Sequence, residues 1–191
     1  MQNALNVEEI LIQLKDASEA KPKDAQMLHP SYYHSKELYE LEKEHIFSKE
    51  WICMARVEQI PNPGDYVTVC LLDEPIVIVR QQDGSIQALS NVCRHRYFPV
   101  AQGQGNTRFF ACPYHKWTYQ LDGSLMGAPG MKDSSFDQSK CQLPEFRSEV
   151  WMGFIFVNLD ITAEPLAPRL ASLTERLTEY QLDQWRAPCI F

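Results

Sequence analysis

SNVCRHRYFPVAQGQGNTRFFACPYHKWTY, residues 90–119, is the stretch on which the reading of this chain turns. Within it Cys93 and His95 form one short clip, and Cys112 and His115 form a second after an interval of sixteen residues. Each clip offers one thiolate and one imidazole, so two loops supply four soft donors to a shared site, which is the chemistry of a bound transition metal. With six Cys and five His in 191 residues, chance places this pattern at a given start with a probability on the order of 10⁻⁶. Two Cys and two His suit tetrahedral zinc, but zinc sites of that composition usually pair Cys with Cys and His with His along the chain. Mixed clips suit a two-iron, two-sulfide centre, in which both thiolates bind one iron and both imidazoles the other.

The runs SNVCRHR, CPYHKWTY, LDGSLMGAP and LPEFRSEVWMGFIFVNLD resemble the Rieske domain of the α subunits of aromatic-ring-hydroxylating oxygenases, and the likeness extends over roughly residues 30–185. The resemblance implies that Cys93, His95, Cys112 and His115 hold a Rieske 2Fe-2S cluster. It also implies a reductase or ferredoxin as electron donor, and a mononuclear Fe(II) in a separate catalytic domain as acceptor. The chain would then be an oxidoreductase component that does not turn over alone, since it stops at Phe191, before that domain's iron ligands should begin. Intact members of the family form homo-trimers that pass electrons between subunits, so a catalytic domain or subunit is an expected partner. The substrate, an aromatic ring or a small quaternary amine, is left open. Two other readings stand beside this one: a stand-alone Rieske-type ferredoxin and a zinc-stabilised binding module.

Respiratory-chain Rieske proteins carry an extra Cys in each loop and a Ser whose hydroxyl reaches a bridging sulfide. The equivalent positions here hold Phe98, Tyr114 and Trp117. Fewer donors to the cluster should leave its potential toward the low end of the Rieske range, roughly −150 mV. The chain also departs from the oxygenase pattern at Lys116, where Gly is usual, and at Tyr97-Phe98, which replace a smaller residue. If position 116 requires a positive φ, Lys116 carries about 1 kcal/mol of strain. Trp117 is a candidate shield for the cluster, and Arg94 and Arg96 are candidates for orienting carboxylates.

Outward from the clips the pattern is that of strands. Residues 51–57, 66–72, 75–80 and 86–90 alternate or run apolar between turns at Pro63-Gly64-Asp65 and Asp83-Gly84. Residues 109–111 lead into the second clip, 118–126 form a hairpin about Asp122-Gly123, and 146–150 with 154–158 complete the set. The expected fold is therefore mainly β: a Rieske-type antiparallel β-sandwich with N-terminal helices and a C-terminal helical segment. Three regions are expected: a helical arm over 1–50, the 2Fe-2S domain over 51–160, and a helical linker over 161–191. Trp51, Trp151, Phe154 and Phe156 are expected in the core, as are the free thiols of Cys53 and Cys70.

Helical spacing appears at Val7, Ile10, Leu11 and Leu14, and again from Ser35, a candidate N-cap, through Leu38, Leu41, His45 and Phe47, which would pack His45. A third stripe runs Leu166, Leu170, Leu173, Leu177 and Tyr180. His29 and His34, with Asp24 nearby, imitate the spacing of a mononuclear iron site, but they precede the first strand and are read as structural. A net charge of −7 gives no reason to expect nucleic acid or an anionic membrane as partner. No signal peptide or membrane span is evident, which places the expected location in the cytoplasm.

Overall fold

A computed structural model describes residues 5–131 and 137–186. The described chain divides between Ser48 and Lys49 into two compact units. In the first, helix α1 (Val7–Glu19) opens with a reciprocal cap, in which the Asn6 side chain accepts from Glu9 N–H and the Glu9 carboxylate accepts from Asn6 N–H. Ser35 caps helix α2 (Lys36–Glu42), its Oγ accepting from Leu38 N–H at 3.2 Å. The helix then widens into a π turn over Lys43–Phe47. That extra residue per turn rotates His45 off the apolar stripe, and its side chain is 66% exposed. The expectation of a packed histidine fails for this reason.

The second unit holds ten strands among the described residues: β1 (Ile52–Arg56), β2 (Asp65–Leu71), β3 (Glu74–Arg80), β4 (Ile86–Ser90), β5 (Gln104–Asn106), β6 (Phe110–Ala111), β7 (Thr118–Tyr119), β8 (Leu125–Gly127), β9 (Glu145–Trp151) and β10 (Phe154–Asn158). They form a seven-stranded antiparallel sheet in the order β1-β10-β9-β4-β3-β2-β5 and a three-stranded sheet β6-β7-β8. The β3 run PIVIVR shows why the chain folds in layers. Ile76, Val77, Ile78 and Val79 are all fully buried, so both faces of this strand are covered. Val77 and Val79 face a cluster with Leu89, Phe110, Trp117 and Tyr119, while Ile76 and Ile78 face another with Ile155 and Val157. Each such side chain contributes about 1.5–3 kcal/mol by leaving water. The Asp83-Gly84 and Asp122-Gly123 turns place their glycines at φ +87° and +84°, conformations that a Cβ disfavours.

The period of two corrects several expectations about burial. Cys70 lies on the β2 face of Tyr66 and Thr68, opposite Val67 and Leu71, and is exposed; Cys53, at an irregularity in β1, is exposed as well. In β10, Ile155 and Val157 point into the core, which turns Phe154 and Phe156 to the other face, only half-buried. Of the four aromatic residues expected inside, only Trp51 is buried, its indole N–H donating to Glu164 O at 2.9 Å. The C-terminal stripe is broken rather than continuous. Helix α3 (Leu166–Arg169) and helix α4 (Ala171–Leu177) meet at Leu170, and only Leu166 is buried.

Candidate metal centre

Both ligand loops are built on the same backbone plan. In the first, Cys93 N–H donates to Phe98 O at 2.9 Å and Tyr97 N–H donates to Cys93 O at 3.0 Å. In the second, Cys112 N–H donates to Trp117 O at 2.8 Å and Lys116 N–H to Cys112 O at 3.0 Å. Each loop thus closes on its cysteine. The residue four places on carries the reversal of the chain, Tyr97 at φ 53° and Lys116 at φ 61°. Position 116 does require the left-handed conformation, so Lys116→Gly should raise the melting temperature by about 2–4 °C, the equivalent of about 1 kcal/mol of relieved strain. A calorimetric scan checks this; an unchanged or lower midpoint would show that the loop carries no such strain.

The rest of the fold holds these loops rigid. The first is tied at its ends by the Val92–Pro99 bridge and by Asn91, which is buried. The Asn91 carboxamide oxygen accepts from Val100 N–H at 3.1 Å and Ala101 N–H at 2.9 Å, and its NH2 donates to Ala101 O at 2.9 Å. The second loop spans the β6–β7 hairpin, where Phe110 pairs with Tyr119 and Ala111 with Thr118.

The structure brings the four predicted donors together as two unlike pairs. Cys93 and Cys112, 1% and 2% exposed, lie side by side in the core. Burial raises the Cys112 thiol pKa, the Tyr114 and His115 N–H groups aimed at its sulfur lower it, and the Cys93 thiol beside it raises it. The His95 and His115 rings stand 4.8 Å apart, at 67° to each other and half-buried. Burial, then His115, then Arg96 lower the pKa of His95 and favour the neutral imidazole that a metal needs. Trp117 stacks on His95 at 4.7 Å and 6°, and Tyr114 covers His115 at 3.8 Å.

A test of fit comes from atoms left without partners. Nδ1 of His95 and Nδ1 of His115 are both buried, and neither has a hydrogen-bond partner in the structure. A buried imidazole nitrogen without a partner costs about 1–3 kcal/mol, and a metal bound at both atoms removes the cost twice. Among the described residues no three His, Cys, Asp or Glu side chains converge as they would around a single ion.

Two residues of the site escaped the sequence reading. The Tyr119 hydroxyl, wholly buried, lies 3.2 Å from Cys93 Sγ and accepts from Arg94 N–H at 3.0 Å. Burial and the neighbouring Cys93 raise the pKa of this phenol, so toward a metal-bound thiolate, which has no proton to give, it is the donor. The expectation of a site poor in donors therefore omitted one. Asn91 is the other; both lie within quoted motifs, yet nothing local tells of their contacts. Arg94 and Arg96 are exposed and pair with no carboxylate among the described residues. The His29 and His34 imitation dissolves. His29 Nδ1 lies 3.2 Å from Ser31 N and accepts from its N–H, and His34 is exposed. His34→Ala should leave iron content unchanged by elemental analysis.

Comparison with known proteins follows this geometry closely. A family model described as "Rieske [2Fe-2S] domain" matches residues 50–147. Over 162 residues the chain is 36% identical to the carnitine monooxygenase oxygenase subunit of Escherichia coli (strain K12), covering 84% of this chain and 43% of that protein. It is 36% identical over 140 residues to the benzene 1,2-dioxygenase subunit alpha of Pseudomonas putida, covering 72% and 31%. A crystal structure of a quaternary ammonium Rieske monooxygenase with L-carnitine superposes with a TM-score of 0.78 at 35% identity, over 83% of this chain and 46% of that one. The chain thus spans less than half the length of these relatives.

Proposed function

Because the chain belongs to the Rieske [2Fe-2S] domain family, we propose that Cys93 and Cys112 hold one iron and His95 and His115 the other iron of a 2Fe-2S cluster. The observation that carries this assignment is the pair of orphaned Nδ1 atoms presented by the same two loops that bury a pair of thiols. When bound, such a cluster stores and releases single electrons. The chain's own part is to keep that centre stiff and dry. Asn91 and the β6–β7 hairpin hold the two loops at fixed separation, Trp117 excludes water from His95, and Tyr119 donates to Cys93. The half-buried imidazoles form the side of the site nearest solvent, and they are the proposed exit for electrons.

The relatives support a reading of the activity. This chain would be the electron-transfer portion of an oxygenase α subunit, fed by a reductase or ferredoxin and feeding a mononuclear iron carried by a catalytic domain, in the intact enzyme a homo-trimer. Matches to both a carnitine monooxygenase and a benzene dioxygenase leave the substrate class to that domain. No helix among the described residues is long and apolar enough to cross a membrane. Exposed free thiols at Cys53 and Cys70 suit the reducing cytoplasm. Anaerobically purified protein should be red-brown, contain about two irons and two labile sulfides per chain, and give an axial electron-spin signal when reduced. Zinc without iron or sulfide would refute the proposal.

A further inference from the structure

The outer face of the β1-β10-β9 end of the sheet carries polar and aromatic side chains in register. Directly opposed residues share a face, so Arg56, Phe154 and Trp151 form one row across the three strands, and Cys53, Phe156 and Glu149 form the next. The chain beyond β10 returns over these rows and is held there in two stages. The first stage is tied to the core. Leu166 is buried, the Glu149 carboxylate accepts from Leu166 N–H at 3.0 Å, and Arg169 pairs with Glu50 at 2.8 Å.

The second stage has no such anchor. From Ala171 to Arg186 no residue is buried, and Gln181, between two 3₁₀ turns, stands at φ 48°, a conformation that a side chain disfavours. The far end of this stretch is held by polar contacts that converge on Arg56. Its guanidinium lies over the Phe154 ring at 4.4 Å, and Nη2 donates to Leu182 O and to Trp185 O, both at 2.9 Å. Its Nε faces the Glu58 carboxylate at 3.3 Å, and the same carboxylate meets Arg186 at 3.8 Å. Hydrogen bonds from a charged, planar fork are stronger than neutral ones and fix the geometry of what they hold. The backbones also run close together: a Cβ added to Gly153 would come within 2.9 Å of Asp183 Cα.

We infer that residues 178–186 form a strap latched by Arg56, and that this strap lifts from the outer face as a unit while the sheet and the first stage stay folded. Segments with few buried apolar contacts open at free energies well below that of global unfolding, and here the contacts that must break gather on one side chain. The latch sets the direction in which the chain leaves the sheet at Arg186. This goes beyond the electron-transfer reading and does not depend on it, since no residue of the latch lies on either Cys–His loop.

Hydrogen exchange on the whole, iron-loaded chain tests the strap. In the parent protein the Gln181, Gln184 and Trp185 amides, each bonded within the strap, should exchange at least about tenfold faster than those of β3. Arg56→Met combined with Glu58→Gln keeps an apolar stem over Phe154 and leaves no carboxylate stranded; it should speed strap exchange about tenfold. Gly153→Ala should speed it as well, by pushing on Asp183. Gly84→Ala is the control, because Gly84 stands at φ +87° against +84° at Gly153 but has nothing within 4 Å of an added Cβ. It carries the same backbone strain, and strap exchange should change less than about twofold. Iron content should match the parent in all three variants. Strap amides as protected as those of β3 in the parent, no acceleration in the Arg56 variant, equal effects of the two glycine variants, or loss of iron along with the strap would each overturn the proposal. If the Arg56 variant fails to fold, the glycine pair decides. A colourless parent whose strap opens as described would refute the ligand assignment alone.

Discussion

Cys112→Ser should yield a colourless protein with essentially no iron or labile sulfide, while Cys70→Ser retains the full complement. Cys112 is 2% exposed and lies in the cluster of Val77, Phe110, Trp117 and Tyr119. A serine hydroxyl there is a poor ligand for iron and a polar group in an apolar wall, costing about 1–3 kcal/mol on its own. The larger loss comes from the metal, whose binding free energy is also folding free energy wherever the unfolded chain cannot hold it. With His95 and His115 left to face an incomplete site, thermal unfolding should shift down well beyond what the hydroxyl alone explains. Cys70 is exposed on the outer face of β2, its thiol donating to Leu72 O, so its replacement touches neither iron nor core. Metal and sulfide analysis of both variants decides the matter: a Cys112→Ser protein with two irons per chain would remove Cys112 from the ligand set.

Tyr119→Phe should keep the cluster and lower its reduction potential. The phenol lies 3.2 Å from Cys93 Sγ; toward a cluster-bound thiolate it can only donate, and a donor at a thiolate stabilises the more electron-rich reduced state above the oxidised one. A hydrogen bond to a charged acceptor contributes about 1.5–3 kcal/mol. Only the difference between the two oxidation states enters the potential. If that difference is about 1 kcal/mol, the shift is about 40 mV downward, since 59 mV, or about 1.4 kcal/mol, is a tenfold change for a one-electron couple. Phenylalanine fills the same buried volume, so packing against Leu89 and Phe110 survives. The Arg94 N–H loses its acceptor, which costs stability but not cluster content. A redox titration of iron-replete protein measures the effect; a midpoint unchanged from the parent would mean that the hydroxyl does not act on the cluster.

Much of this architecture could be read along the chain, and particular residues show why. The Asp-Gly turns at 83–84 and 122–123 are set by φ values that glycine alone adopts freely, so the hairpins they close are visible locally. The mixed Cys–His clips are equally local, because each loop presents both donors within four residues. Where the reading went astray, the error was one of phase. His45 leaves its stripe at a π turn that no spacing rule anticipates. Phe154 and Phe156 are apolar yet stand on the outer face, because Ile155 and Val157 take the inner one. Composition says that an aromatic residue prefers burial, but the sheet grants it to every second residue only.

By itself the sequence determined the two Cys–His clips, the order of strands and turns, and the departure at Lys116, since each depends on residues within a few positions of one another. Only the tertiary structure decided that the thiols are buried while the imidazoles are half-exposed, and that Tyr119 meets a sulfur 26 residues away. Those contacts exist because two separate hairpin loops close over a common core, and the chain reaches that closure through packing, which has no local signature.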